Sequence, residues 1–134
     1  AAASQVSMRY GFRGPVFNLS TACSSSNHAI GLACWLVRDG GAEVAVTGGS
    51  EAPFALGNLK AWDALRVVAP DTCRPFDRQR PGMVLGEGAA MLVIGPWDRA
   101  VARGAAILGE IPAMGCPTTP TTSRGRAWKD RPRR

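Results

Sequence analysis

The sequence predicts an α/β layered fold, and three observations carry that prediction. Short apolar runs of strand length, such as Ala89-Ala90-Met91-Leu92-Val93-Ile94, are bounded by glycines. Between them lie stretches with apolar residues in 3-4-3 spacing, the period of a helix packed along one face. The two kinds alternate along the chain, which argues for strand–helix–strand units with parallel pairing.

The elements follow in order. The run Val16-Phe17-Asn18-Leu19 reads as a short strand leading into Ser20-Thr21-Ala22-Cys23-Ser24-Ser25-Ser26. A helix is predicted from Ser25 to Arg38, with Ile30, Ala33, Cys34 and Val37 on one face, stopped by Asp39-Gly40-Gly41. Glu43 to Thr47 reads as a buried strand closed by Gly48-Gly49. A helix from Leu56 to Leu65 places Leu59, Trp62 and Leu65 together. A loop with Pro70, Cys73 and Pro75 leads to Gly86-Glu87-Gly88 and the strand 89–94. A helix from Trp97 to Arg103 and a last strand from Ala106 to Ile111 complete the pattern.

The 134 residues are one domain or part of one, and 46% hydrophobic content is enough for a core. No apolar run is long enough to span a bilayer, and Ala1-Ala2-Ala3-Ser4-Gln5 lacks the regions of a signal peptide. Four cysteines without C-x-x-C spacing and a single histidine argue against a zinc site. Cys23 and Cys34 are separated by roughly 16 Å of helix, too far for a disulfide. The cysteines fit a reducing, cytoplasmic compartment.

The formal charge of +6 is unevenly placed. Up to Met114 there are ten basic against nine acidic residues; from Gly115 onward there are six against one. The stretch 115–134, rich in Thr, Pro and Gly with no apolar period, reads by composition as a disordered basic tail. One aromatic, Trp128, is too little for a nucleic-acid surface, so neither nucleic acid nor membrane is expected as a partner.

Cys23 is the candidate nucleophile. A turn between a strand and a helix start holds a sulfur where unpaired N–H groups and the positive dipole end favour a thiolate. Ala22 and Ser24 are small and leave room for an acyl group. A buried structural cysteine is the alternative on motif context alone. Ser24 to Ser26 read as helix-capping and pocket residues, since no G-x-S-x-G is present. His28, five helical residues on, is turned roughly 140° past one full turn and points away from the sulfur, so it reads as structural. Gly86-Glu87-Gly88 opens a strand and lacks the third glycine of a dinucleotide site.

Taken together, Tyr10-Gly11-Phe12-Arg13-Gly14-Pro15, Thr21-Ala22-Cys23-Ser24-Ser25-Ser26-Asn27-His28-Ala29-Ile30-Gly31, Gly48-Gly49-Ser50-Glu51, Arg74-Pro75-Phe76-Asp77-Arg78 and Val84-Leu85-Gly86-Glu87-Gly88-Ala89-Ala90-Met91-Leu92-Val93 resemble, in order, segments of the type II β-ketoacyl-acyl-carrier-protein synthases. The resemblance covers residue 1 to about Met114, taken as a partial synthase domain spanning 1–114 and, by size, roughly a quarter to a third of a complete member. It implies a partial thiolase-type layered fold, a fragment of the N-terminal half of a ketosynthase, beginning mid-domain. It implies an acyl chain passed from carrier-protein phosphopantetheine to Cys23 and condensed with malonyl-carrier-protein, in fatty-acid or polyketide elongation. No cofactor is implied; the partners implied are the acyl carrier protein and a second copy in a homodimer. The backbone N–H of Cys23 would form half of an oxyanion hole. Trp62 falls where the family lines its acyl pocket, with a core tryptophan as the alternative. Arg66 falls where the family meets the acidic carrier protein, with an ordinary solvated charge as the alternative. Pro81 and Met83 depart from the family's usual Asp and Phe.

The resemblance also implies two histidines, a lysine and a second oxyanion donor that lie beyond the matched region, so the chain alone is not expected to condense. A non-catalytic remnant or a chain-length partner subunit is the competing function class; such partners usually lack the nucleophilic cysteine that this chain has. Asn27-His28-Ala29-Ile30-Gly31 looks closer to the free-standing fatty-acid type than to modular synthases. Read one base out of frame, the stretch from Cys116 can encode a Ser-Asp-Ala-His-His-Ile-Thr-like segment found in the family at this point. The tail is therefore expected to be an out-of-frame translation; a genuine basic extension is the alternative.

Overall fold

The computed structural model describes residues 2–112. The tail from Gly115 onward, with Cys116 and its out-of-frame reading, lies outside the described residues. The element order is α1 (Ala2–Tyr10), α2 (Ser25–Arg38), β1 (Ala45–Glu51), α3 (Leu56–Ala64), β2 (Gly88–Ile94) and α4 (Trp97–Ala102).

The first helix has no counterpart in the sequence reading, because its residues carry no clear apolar period. Its ending nonetheless follows sequence rules. Gly11 adopts φ +67°, and the Phe12 amide donates to the Ser7 carbonyl at 3.0 Å, the closing bond of a left-handed helix terminus. The Tyr10 and Phe12 rings stack beyond it, centroids 5.8 Å apart.

The second helix keeps its predicted bounds. Ile30, Ala33, Cys34 and Val37 are all buried or half-buried, as their i, i+3, i+4, i+7 spacing requires, and Trp35 lies on the open side. The helix packs on β1 and, more lightly, on β2, forming a two-layer unit with Ala33 and Thr47 at its centre.

Strand β1 starts and ends later than 43–47, and it runs through Gly48 and Gly49 instead of stopping there. The two glycines permit close approach. A Cβ on Gly48 would collide with the Ala90 carbonyl and the Met91 backbone of β2, and one on Gly49 would collide with the Ser26 hydroxyl of α2.

The pairing sense is a correction to the sequence reading. β1 and β2 run antiparallel, with Ala45 opposite Ile94 and Glu51 opposite Gly88. A helix between two strands enforces parallel pairing only when it lies across the sheet as a crossover. Here the packed helix is α2, which precedes both strands, while α3 does not build onto the sheet. The excursion 52–87 leaves one end of the pair and returns to the same end. Its base is tied where the Phe54 amide donates to Glu87 Oε1 at 3.2 Å.

Within that excursion the Ala69 amide donates to the Met83 carbonyl at 2.8 Å and the Met83 amide to the Val67 carbonyl at 2.9 Å. The loop they close holds a two-pronged ion pair, Arg74 to Asp71 at 3.0 and 2.7 Å. Arg74 holds the Asp71 carboxyl below its usual range, helped by the Thr72 amide. Phe76, at φ +64° and 99% exposed, stands at the outside of this loop.

Two expected strands are absent among the described residues. Segments 16–19 and 106–111 take no strand pairing. A strand is defined by its hydrogen-bonded neighbour, and neither segment has one here. Many large apolar side chains, including Phe17, Trp97 and Leu108, are exposed. No helix among the described residues is long and apolar enough to cross a membrane.

Candidate functional site

The turn that carries Cys23 is built by its hydroxyl neighbours. The Ser24 hydroxyl donates back to the Thr21 carbonyl at 2.9 Å. The Ser25 hydroxyl donates to the Ala22 carbonyl at 2.7 Å and accepts from the Thr21 amide at 2.9 Å. The Ser24 and Ser25 amides close the same turn onto the Thr21 and Ala22 carbonyls. These bonds correct the capping expectation: no side chain caps α2 at Ser24, because the hydroxyls that could do so are turned backward. Ser26, the third serine, lies against Gly49.

The result is a tight bend with Ala22 at φ +53°. A left-handed backbone costs a residue with a Cβ roughly 1–2 kcal/mol, and it persists only where surrounding bonds hold it. Cys23 follows directly, exposed, two residues before α2 begins. An exposed thiol at a helix entrance, flanked by small residues, is open to an electrophile such as a thioester.

His28 sits one turn into α2. Its Nδ1 lies 3.0 Å from the Ser24 carbonyl and 3.2 Å from Thr21 Oγ1. The ring thus engages the two residues that flank Ala22 and Cys23. Helical spacing turns the ring away from the sulfur but does not reveal these two partners. The signal was present in the spacing Thr21–His28, but it spans a non-helical turn that periodicity cannot describe.

The other cysteines differ from Cys23 in setting. Cys34 is half-buried on the packed face of α2, where burial pushes its thiol up from the ordinary value against the opposing pull of Arg38. Cys73 is exposed in the loop beside the Asp71–Arg74 pair. Among the described residues no group of three or more His, Cys, Asp or Glu side chains could hold a metal ion.

Trp62 and Arg66 both belong to α3 and its end. Trp62 is half-buried on the helix. Arg66 is exposed just past its terminus at φ +55°, its amide donating to the Asp63 carbonyl at 2.9 Å. That is the position where helices favour glycine. The structure does not gather these two residues with Cys23 into one packed cluster, since α3 stands outside the unit formed by α2 and the sheet.

Residues 1–100 match the family described as β-ketoacyl synthase, N-terminal domain. Nodulation protein E from Rhizobium sp. (strain N33) is 56% identical over 115 residues, covering 86% of this chain and 29% of that protein. The 3-oxoacyl-[acyl-carrier-protein] synthase 2 of Rhizobium meliloti (strain 1021) is 40% identical over 121 residues, covering 85% and 29%. A β-ketoacyl synthase from Burkholderia phymatum STM815 superposes with a TM-score of 0.71 at 34% identity, covering 78% of this chain and 27% of that one. A ketosynthase solved with its type II polyketide acyl-carrier protein, AntDE:AntF, gives 0.71 at 33% identity, with the same coverage. The chain spans under a third of the length of the relatives it matches. Its identity to nodulation protein E exceeds its identity to that 3-oxoacyl-[acyl-carrier-protein] synthase 2.

Proposed function

The chain belongs to the β-ketoacyl synthase family, a thiolase-like group of condensing enzymes, and on that premise we propose that it bears the acyl-accepting thiol of such an enzyme, Cys23. The observation that carries the reading is the exposed cysteine directly after left-handed Ala22, at the mouth of α2. In the proposed step the Cys23 thiolate attacks the carbonyl of an acyl thioester. The carbon–sulfur bond to the phosphopantetheine arm breaks, the acyl group stays on Cys23 Sγ, and the departing thiolate takes up a proton. The Cys23 amide serves the developing oxyanion. In the intact enzyme Trp62 would border the acyl chain, and Arg66 at the free end of α3 would meet the acidic carrier protein.

Condensation needs more. Decarboxylating a malonyl thioester calls for polarising groups at its carbonyl, and the chain's single histidine is bonded into the turn. The reading therefore gives these 134 residues acyl loading without carbon–carbon bond formation. The intact enzyme would act as a homodimer with an acyl carrier protein, in fatty-acid or polyketide elongation.

The test incubates the chain with an octanoyl-carrier protein and reads intact and peptide mass. An octanoyl adduct confined to the Cys23 peptide and lost in Cys23→Ala is expected, with no carbon dioxide released from malonyl-carrier-protein. Acylation spread over Cys34 and Cys73, or condensation by this chain alone, would overturn the reading. A chain-length partner or a non-catalytic remnant would take no acyl group at all.

A further inference from the structure

The single histidine of the chain makes two contacts that bear on which of its ring nitrogens carries hydrogen. Its Nδ1 is 3.0 Å from the Ser24 carbonyl, and a carbonyl oxygen only accepts, so Nδ1 must donate. The same nitrogen reaches Thr21 Oγ1 at 3.2 Å. Thr21 and Ser24 bracket Ala22 and Cys23, so one N–H joins the two ends of the bend. The Ser24 and Ser25 hydroxyls close that bend from within; His28 closes it from the first turn of α2. A left-handed Ala22 needs such closure, because outside it the residue relaxes to an ordinary backbone conformation.

We propose that His28 is a positioning residue for Cys23: its Nδ1–H clasps Thr21 and Ser24, holds the left-handed bend shut and so keeps the sulfur at the entrance of α2. The proposal rests on reading Cys23 as the acyl-accepting thiol. It gives the histidine no part in proton transfer, since no hydrogen bond joins the ring to Cys23 Sγ among the described residues. Protonation leaves the clasp intact, because the imidazolium keeps its Nδ1–H. A side chain without a donor cannot replace it. Asparagine can, since its amide N–H stands at nearly the same distance from the backbone as Nδ1.

Two measurements on the full chain test the clasp. Long-range proton–nitrogen correlation spectra at about pH 8 report the tautomer, and one histidine makes the assignment unambiguous. The Nδ1–H form is expected; a predominant Nε2–H form overturns the proposal. The second measurement is the iodoacetamide rate at Cys23 divided by that at exposed Cys73 in the same molecule. His28→Leu should lower this ratio about fivefold, the equivalent of one lost hydrogen bond, while His28→Asn restores it. A ratio unmoved by leucine, or lowered equally by asparagine, overturns the proposal. If His28→Leu loses the helix by circular dichroism, the tautomer still decides. A wild-type ratio near one with the Nδ1–H tautomer present would reject the acyl-thiol reading and leave the clasp standing.

Discussion

Gly48 and Gly49 are adjacent in β1 but face different obstacles, and substituting each with alanine should separate two kinds of close packing. At Gly48 the new Cβ meets the Ala90 carbonyl and stands 2.9 Å from the Met91 Cα and sulfur. Two of those atoms belong to the backbone of the partner strand and cannot rotate aside. Overpacking of this kind costs about 1–3 kcal/mol or more, and an obstacle fixed in the ladder belongs at the upper end. At Gly49 the obstacle is the Ser26 hydroxyl, with the Ser26 Cβ at 3.2 Å. A terminal hydroxyl can turn away, so about 1 kcal/mol is expected. Amide exchange of the 45–51 peptide, read by mass spectrometry, converts these figures directly. At 1.4 kcal/mol per factor of ten, Gly48→Ala should speed local exchange about 100-fold and Gly49→Ala about fivefold. Adding Ser26→Ala should recover most of the Gly49→Ala loss and none of the Gly48→Ala loss. Equal effects at the two positions, or less than a twofold effect at Gly48, would refute the assignment of these glycines to interlayer and interstrand contact.

Alkylation by iodoacetamide at neutral pH should mark Cys23 ahead of Cys34, and the gap should narrow as pH rises, because burial holds the Cys34 thiol above its ordinary value of 9.0. The same shift has a stability sign: a raised folded value favours the native state below that ordinary value, and the contribution disappears as pH climbs past the folded one, so urea midpoints should fall on the alkaline side. Light scattering should show heterogeneous oligomers, since α4 and β2 present Trp97, Met91 and Val93 to solvent. A single sharp monomer peak would contradict it.

How much was legible depends on which forces act locally. The second helix could be bounded from sequence because Ile30 through Val37 repeat at helical spacing and Asp39-Gly40-Gly41 ends them, with Gly40 at φ +76°. Glycine reads as punctuation in a sequence, yet β1 runs through Gly48 and Gly49 to Glu51. Its purpose at positions 48 and 49 is set by atoms of Ala90, Met91 and Ser26, which lie far away in sequence or on another layer. Pairing sense is hidden for the same reason: it depends on where a long excursion returns, which no window can contain. The place of Cys23, just ahead of the start of α2, was legible from its motif. The bend around it was not, because Ser24 and Ser25 satisfy either a cap or a turn with equal chemistry, and only the position of Thr21 decides. His28 went unread since its partners lie on both sides of an irregular bend.

The bond from the Phe54 amide to Glu87 has a kinetic side. It marks the neck of the excursion 52–87, and the β1–β2 ladder gains nothing until that neck closes. Closure entropy is lost first and rewarded later, which makes such pairing slow compared with docking neighbouring segments. α2 and β1 are separated only by the short link 39–44 and so meet early. Folding should therefore run in two stages, with α2 settling on β1 before β2 arrives. Because closure cost grows only with the logarithm of loop length, added or deleted residues around Phe76 should barely alter the rate of the second stage, whereas loss of the Glu87 carboxylate at the neck should slow it.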